Sequence, residues 1–476
     1  MTADQIHALG PALSDFLDEF SDCFKSGDTR QHLKDYVKGQ LSDLPRKSVE
    51  PMAHLAEVPP RTLQEFLSLS NWDHDLLRAR LQQLVARDHA VPNAIGIVDE
   101  SGHPKKGNKT ACVQRQYCGT TGKIDNCVMT VHLAYASWDN SLRTMIDSDL
   151  FLPEGWSEDP KRREMTRVPD AVTYRPKYDI ALEQLRRARS NGINLAWVTA
   201  DEWYGAKGPF VSALEQMGQH FVVEVRRDLL GWLHAPLIGP QGGVPRRDER
   251  GSTIQNLCAH SRVMSGQAWK RFHVKDTHKG PMVWEAKMAL WWTERDGRIV
   301  GPYRLVVARD VLDRDEMKYF LSDRLDVPLR VTLHVAFSRW PVERCLEDEK
   351  SELGLSHFEC RNYPGVLRHL LLTQVSHLFL ARQCLRLRGE KRGWRYYDLP
   401  GPHRSRGLAG RDVTRTRLAG PQDRASGGNH PADPEGQRGR DILSRQDTTA
   451  ETKRHWHPGR ATDLVHPAVT VAEIAL

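Results

Sequence analysis

Apolar residues recur at helical spacing through the first ninety positions, in IHALGPALSDFLDEFSDCF, HLKDYVKGQLSDL and WDHDLLRARLQQLV. The pattern predicts an all-helical segment over residues 1–90. Within it, AHLAEV, a Pro-Pro break and RTLQEFL have the outline of a helix–turn–helix suited to binding DNA ends, and a plain helical bundle accounts for the spacing equally well. At Asn93 the period changes. AIGIVDES, TACVQRQYCG and NCVMTVHLAYAS are rich in Val, Thr, Tyr and Cys and predict three adjacent strands in a meander. YDIALEQLRRARSNG then predicts a helix stopped at Asn191-Gly192, LAWVTADEWYG a strand, GPFVSALEQMG a helix and HFVVEVRRD a further strand.

The order β-β-β-α-β-α-β is that of a ribonuclease H-like α/β core, here over residues 91–225. Residues 226–335 predict a β-rich insertion: WKRFHVKDT, the hairpin VWEAKMALWWTERDGRIVGPYRLVVARD turning at ERDG, and MKYFLSD. Residues 336–390 predict a helix from Phe337 to Leu355 and a last helical run, VLRHLLLTQVSHLFLARQCLRL. From Lys391 onward there are 17 Gly plus Pro and no Phe in 86 residues, too little apolar surface to offset chain entropy. This tail, 391–476, reads as disordered or as a frame-altered translation.

Composition narrows the class. The mean hydropathy of −0.56, the absence of an 18-residue apolar run and a polar N-terminus predict a protein with no membrane span and no signal peptide. Eight cysteines without a CxxC spacing predict reduced thiols in a cytoplasmic protein, with Cys112, Cys118 and Cys127 buried in strands. A net charge of +7 favours a polyanionic partner.

Three acids stand out by position. Asp99 closes the first strand and Asp201 the fourth, which are neighbours in such a sheet, so both carboxylates emerge at one edge. Glu343 lies on the late helix. Arg339, Glu343 and Lys350 fall at i, i+4 and i+11, within roughly 40° of one another around the helix. Alone, that stripe is also what a solvated face with ion pairs looks like. Three hard carboxylates on strand, strand and helix suit Mg²⁺, which takes few protein oxygens and keeps water and phosphate oxygens as the rest. Glu100 and Glu202 follow the chosen acids and should point away from them, and Asp125 reads as a turn residue. GTTGK fails as a phosphate loop: its glycines are too close, and the segment reads as a hairpin.

With these residues placed, IVDESGHPKKG, QYCGTTGKIDNC, TADEWYG and RWPVE-x6-K together resemble the DDE transposases of bacterial insertion sequences. The clan is the one whose last motif is Tyr-x2-Arg-x3-Glu-x6-Lys, family 701 in particular. Ala336 stands at the Tyr position, a departure from the motif. The resemblance implies a metal triad of Asp99, Asp201 and Glu343 holding two Mg²⁺ ions, with Mn²⁺ as a substitute. It implies DNA phosphate contacts by Arg339 and Lys350, and an insertion tryptophan stacking on a base flipped from the element end. Trp292 is the candidate among Trp269, Trp284, Trp291 and Trp292, which as strand-core aromatics would need no such role. The implied partners are double-stranded DNA, as terminal inverted repeats and target, and a second copy forming a dimer on paired ends in the nucleoid. Two other readings stay open: an inert DNA-binding relic and a non-transposing nuclease with the same core.

Overall fold

The computed structural model describes residues 2–239, 250–277 and 280–391. The predicted helical opening is present: α1 (Ala3–His7), α2 (Leu9–Asp18), α3 (Gly27–Leu41), α4 (Val49–Leu55), α5 (Pro60–Ser68) and α6 (His74–His89). Local chemistry sets where these helices start. The Ser26 hydroxyl accepts from Thr29 N ahead of α3, and the Asp73 carboxylate accepts from the Asp75 and Leu76 amides ahead of α6.

A sheet follows, made of β1 (Ile95–Pro104), β2 (Gln114–Cys118), β3 (Lys123–Ala136) and β4 (Arg143–Leu150). After α7 (Glu154–Ser157), α8 (Pro160–Thr166) and α9 (Lys177–Ser190), the chain returns as β5 (Trp197–Ala200). It continues through α10 (Glu202–Gly205) and α11 (Gly208–Gln216) to β6 (Phe221–Glu224). β1 pairs antiparallel with β3 and parallel with β5, and β5 pairs parallel with β6. The parallel ladder between β1 and β5 ends at Val98↔Ala200, so Asp99 and Asp201 are the next residue on each side. Asp201 lies just past β5, whereas Asp99 does not close β1 as predicted, because pairing with β3 carries that strand on to Pro104.

The meander departs from expectation at one strand. β2, predicted as a core strand, is a short arm pairing only with residues 123–127 of β3. The remainder of that β3 edge, residues 130–136, is taken by β4, which the pattern reading passed over. β4 carries Asp147 and Asp149 on a buried strand, and buried acids break the apolar signature that marks a core strand. Asp125 likewise lies inside β3, opposite Gln116, rather than in the turn.

The inserted segment contributes β7 (Leu230–Gly231), β8 (Ser252–Thr253), α12 (Ile254–His260), α13 (Arg262–Ser265), β9 (Lys270–Thr277), β10 (Gly280–Arg295), β11 (Arg298–Asp310) and β12 (Met317–Ser322). The β10–β11 hairpin turns on Asp296 and Gly297, both at positive φ, the conformation an Asp-Gly pair adopts readily. β12 pairs antiparallel with β6, so these strands extend the core sheet in the order β2-β3-β1-β5-β6-β12-β11-β10-β9.

The predicted single helix from Phe337 to Leu355 is two helices, α14 (Leu329–Phe337) and α15 (Trp340–Ser351), broken at Ser338-Arg339. Pro341 explains the break: it lies in the first turn of α15, where its missing N–H is tolerated, and it cannot continue a helix from upstream. The last element, α16 (Tyr363–Lys391), is a buried spine between the opening helices and the sheet. Its His369 accepts from Tyr36 Oη at Nδ1 (2.7 Å), Arg368 donates to the carbonyls of Leu67 and Trp72, and Gln374 Nε2 donates to Ser148 Oγ on β4. All eight cysteines are free thiols, with Cys112, Cys118 and Cys127 buried. No described helix is long and apolar enough to cross a membrane. The predicted tail lies outside the described residues.

Candidate active site

Strand pairing places two of the predicted acids and the α14–α15 break places the third. Asp201 is the N-cap of α10: its Oδ1 accepts from the amides of Trp203 (3.0 Å) and Tyr204 (3.2 Å), which fixes one oxygen and leaves the other. Asp99 Oδ1 accepts from the Glu100 amide at 2.8 Å. Its side chain is 14% exposed. That burial pushes the Asp99 carboxyl up to about 7; Arg339 pulls against it, and the Asp201 and Glu343 charges add to it.

Arg339 is the hub. Its Nη2 lies 3.0 Å from Glu343 Oε1, its Nη1 3.5 Å from Asp99 Oδ2 and its Nε 3.9 Å from Glu224 Oε2. One guanidinium is thus shared among three carboxylates, while Asp201 has no ion pair among the described residues. Glu343, 48% exposed, is the most accessible of the set. Sequence reasoning passed over Glu224, although the signal was there: it follows the parallel-paired stretch of its strand, as Asp99 and Asp201 follow theirs. Glu224 is also paired with Lys318 at 3.0 Å.

Lys350 does not meet Glu343. Its Nζ donates to Thr120 Oγ1 at 3.1 Å, and that hydroxyl donates to the Gly102 carbonyl at 2.7 Å, so the amine stands over β1 three residues beyond Asp99. Burial lowers its proton affinity, with Cys118 and Asp99 pulling the other way. A second cation, Lys275, donates to Phe337 O at 2.9 Å and lies 5.1 Å from the centre of the half-exposed Trp340 ring. Burial holds Lys275 down to about 8 while the Glu343 charge pulls it up. Glu100 is held away by Lys177 at 2.8 Å, and Glu202 is exposed on α10.

Trp292 is not brought to this edge. The pairings carry the level of Glu224 through Phe320 and Val306 to Met288 on β10, so Trp292, four residues past Met288, lies about 13 Å farther along, on a strand three places from β6. There it exchanges backbone hydrogen bonds with Trp232. Trp284 and Trp291 are buried, and Trp269 is covered by Arg309 and Lys287.

Among the described residues, no three His, Cys, Asp or Glu side chains form a closed ion cage. The donor chemistry nevertheless fits a hard divalent cation. Asp99, Asp201 and Glu343 offer only carboxylate oxygens, and burial, which Arg339 only partly offsets, leaves Asp99 short of a compensating positive charge. A site with this balance can draw in a cation together with phosphate oxygens.

Comparisons with known proteins agree with that chemistry. A family model described as a DDE superfamily endonuclease matches residues 19–281, which include Asp99 and Asp201 and stop before Glu343. The probable transposase for insertion sequence element IS701 from Microchaete diplosiphon is 28% identical over 360 residues, 74% of this chain and 83% of that protein. Among solved structures, the NurA nuclease from Sulfolobus solfataricus overlaps 56% of this chain and 85% of its own at 9% identity, and its TM-score of 0.21 is too low to argue from. The family match spans more than half the chain and takes in the two strand-borne acids: this protein belongs to the DDE superfamily of endonucleases.

Proposed function

We propose that this endonuclease is a transposase, cutting DNA at the ends of an insertion sequence and joining those ends to target DNA. The observation that carries the reading is the placement of Asp99 and Asp201 one residue past a shared parallel ladder, beside an arginine that bridges Asp99 to Glu343. The IS701 relative supports the step from endonuclease to transposase. The strand order β4-β3-β1-β5-β6 supports a ribonuclease H-like core.

Asp99, Asp201 and Glu343 are the residues that would hold two Mg²⁺ ions, or Mn²⁺ in their stead. When bound, such ions activate a water or 3′-hydroxyl oxygen and stabilise the leaving oxygen. A cation held beside Asp99 would favour its ionised form, against the burial that pushes its carboxyl up to about 7. Arg339, already divided among three carboxylates, is positioned to exchange one of them for a non-bridging oxygen of the scissile phosphate, where a guanidinium makes two parallel hydrogen bonds. Lys350, pinned by Thr120, holds the next stretch of backbone. The opening helices are assigned to element-end binding. Stacking of a flipped base on Trp292 requires DNA to cross from the carboxylate edge to the far half of β10. The active form is taken as a dimer on paired ends in the nucleoid.

The test is an in vitro reaction with duplexes bearing the element's terminal DNA, Mg²⁺ and a supercoiled target. Joined products dependent on Asp99, Asp201 and Glu343 are expected. Cleavage without joining would leave a non-transposing nuclease, and binding without cleavage an inert relic.

A further inference from the structure

Beyond the carboxylate edge, β1 runs into a second site. The strand continues from Asp99 through Gly102, under Lys350, to Pro104, and there a cleft of about 560 Å³ opens. Its walls carry five cations, Arg46, Lys105, Lys106, Lys109 and Arg361, against one carboxylate, Glu359, which is already paired with Arg46. Lys106, Lys109 and Arg361 are exposed and have no ion pair among the described residues. The loop bearing the lysines is fixed in place: Asn126 Nδ2 donates to the carbonyls of Lys105 (3.1 Å) and Gly107 (2.6 Å). Lys105 forms part of the base, its Nζ 2.8 Å from Phe358 O and 3.3 Å from the centre of the Phe358 ring. Unpaired cations on a held loop, with an open cleft between them, are the features of a polyanion site rather than of a solvated charge run.

We propose that this cleft grips the phosphate backbone of duplex DNA on one side of the scissile phosphate, with Lys350 as the stepping point between cleft and carboxylates. The inference rests on the reading of the chain as a DNA-cutting enzyme. Spacing assigns the distance. Five residues of strand separate Asp99 from Pro104, about 17 Å, and a duplex presents one phosphate per strand every 3.4 Å of axis. The gripped phosphates therefore lie about five base pairs from the cut. A cleft there fixes the direction in which DNA leaves the carboxylates, which a metal site by itself leaves undefined.

The test measures binding of the full chain to a fluorescein-labelled 40-base-pair duplex from 50 to 200 mM NaCl. It compares wild type with the triple variant Lys106→Ala/Lys109→Ala/Arg361→Ala and with Lys106→Arg/Lys109→Arg. Three lost phosphate contacts flatten the plot of log K against log salt by about 2.7, so the wild-type advantage narrows about forty-fold across that range. The arginine variant keeps the wild-type slope. Hydroxyl-radical footprints of wild type but not of the triple variant should show protection about five base pairs from the cleavage site. A triple variant that melts with wild type and keeps its slope and footprint overturns the cleft assignment while the transposase reading stands. A wild-type chain that neither binds nor cuts the duplex overturns both.

Discussion

Two clusters of aspartate and arginine lie on the same sheet, and they share out positive charge differently. On β4, Asp147 and Asp149 meet Arg78 from α6 and Arg187 from α9. Arg78 lies 3.3 Å from Asp147 and 3.2 Å from Asp149, and Arg187 lies 2.8 Å and 2.5 Å from the same two residues. Two guanidiniums answer two carboxylates, with Gln82 and Gln184 adding donors. Burial works against ionisation of both acids; at Asp149 the arginines outweigh it and hold the carboxyl down to about 2, while at the deeper Asp147 burial wins and the carboxyl is raised, the pair titrating together. At the other cluster Arg339 is shared among Asp99, Glu343 and Glu224, of which Glu224 also has Lys318; burial wins at Asp99, whose carboxyl is pushed up to about 7. The same side chain is thus a structural anchor where its charge is matched, and a receptive site where it is not.

The largest expected effect breaks the receptive cluster. Asp99→Asn, Asp201→Asn and Glu343→Gln should each lower Mg²⁺-dependent cleavage by more than about 10²-fold, beyond what losing an outer partner of a metal ligand costs, with duplex binding retained. A variant that still cleaves normally removes its residue from the ligand set; Glu224 is then the first to examine. Reciprocally, Arg78→Ala should cost about 3–5 kcal/mol, because it strands buried acids, and show as a large fall in the urea midpoint. Arg339→Ala should cost much less stability while reducing cleavage, since Glu343 is half exposed and Glu224 keeps Lys318, which leaves only Asp99 stranded. Equal losses of stability in the two variants would erase the distinction.

A divalent cation sharpens the contrast further. Excess Mg²⁺ or Mn²⁺ at about a hundred times its dissociation constant should stabilise wild type by about 2.7 kcal/mol, leave Asp99→Asn unmoved and be reversed by chelation. A shift of the same size in Asp99→Asn would place the ions elsewhere. The smallest effect is in acid. Asp149 titrates lower in the folded chain than its ordinary value of 3.8, so the unfolded chain binds the proton first as pH falls. Its contribution is fully present above 3.8 and is lost as pH falls through about 2. Between pH 5 and pH 3 the stability advantage of wild type over Asp149→Asn should shrink by about 1 kcal/mol. An unchanged gap would show that the arginines do not hold Asp149 ionised.

These two clusters were unequally legible. Asp99 and Asp201 were readable because each follows an apolar run with a strong strand signal, IGIV and WVTA, and Glu343 because Arg339 and Lys350 keep helical spacing around it. The network on β4 was illegible. Its acids sit where a core strand should be apolar, and their partners are 71 and 38 residues away in sequence. Glu224 was missed for the opposite reason, as one acid among several in HFVVEVRRD.

Local pattern alone determined where most strands and helices lie, since periodicity and turn residues act over a few neighbours. The Asp296-Gly297 hairpin, the stop at Asn191-Gly192 and the first-turn Pro341 follow from backbone preferences of single residues. Tertiary structure decided which elements touch. It joined the inserted strands to the core sheet through β12 and β6, and it set α16 as the spine under the opening helices. It shared Arg339 among three acids, sent Lys350 to Thr120, and carried Trp292 away from the carboxylates. Charge balance at a site depends on groups far apart in the chain, and only packing brings them together.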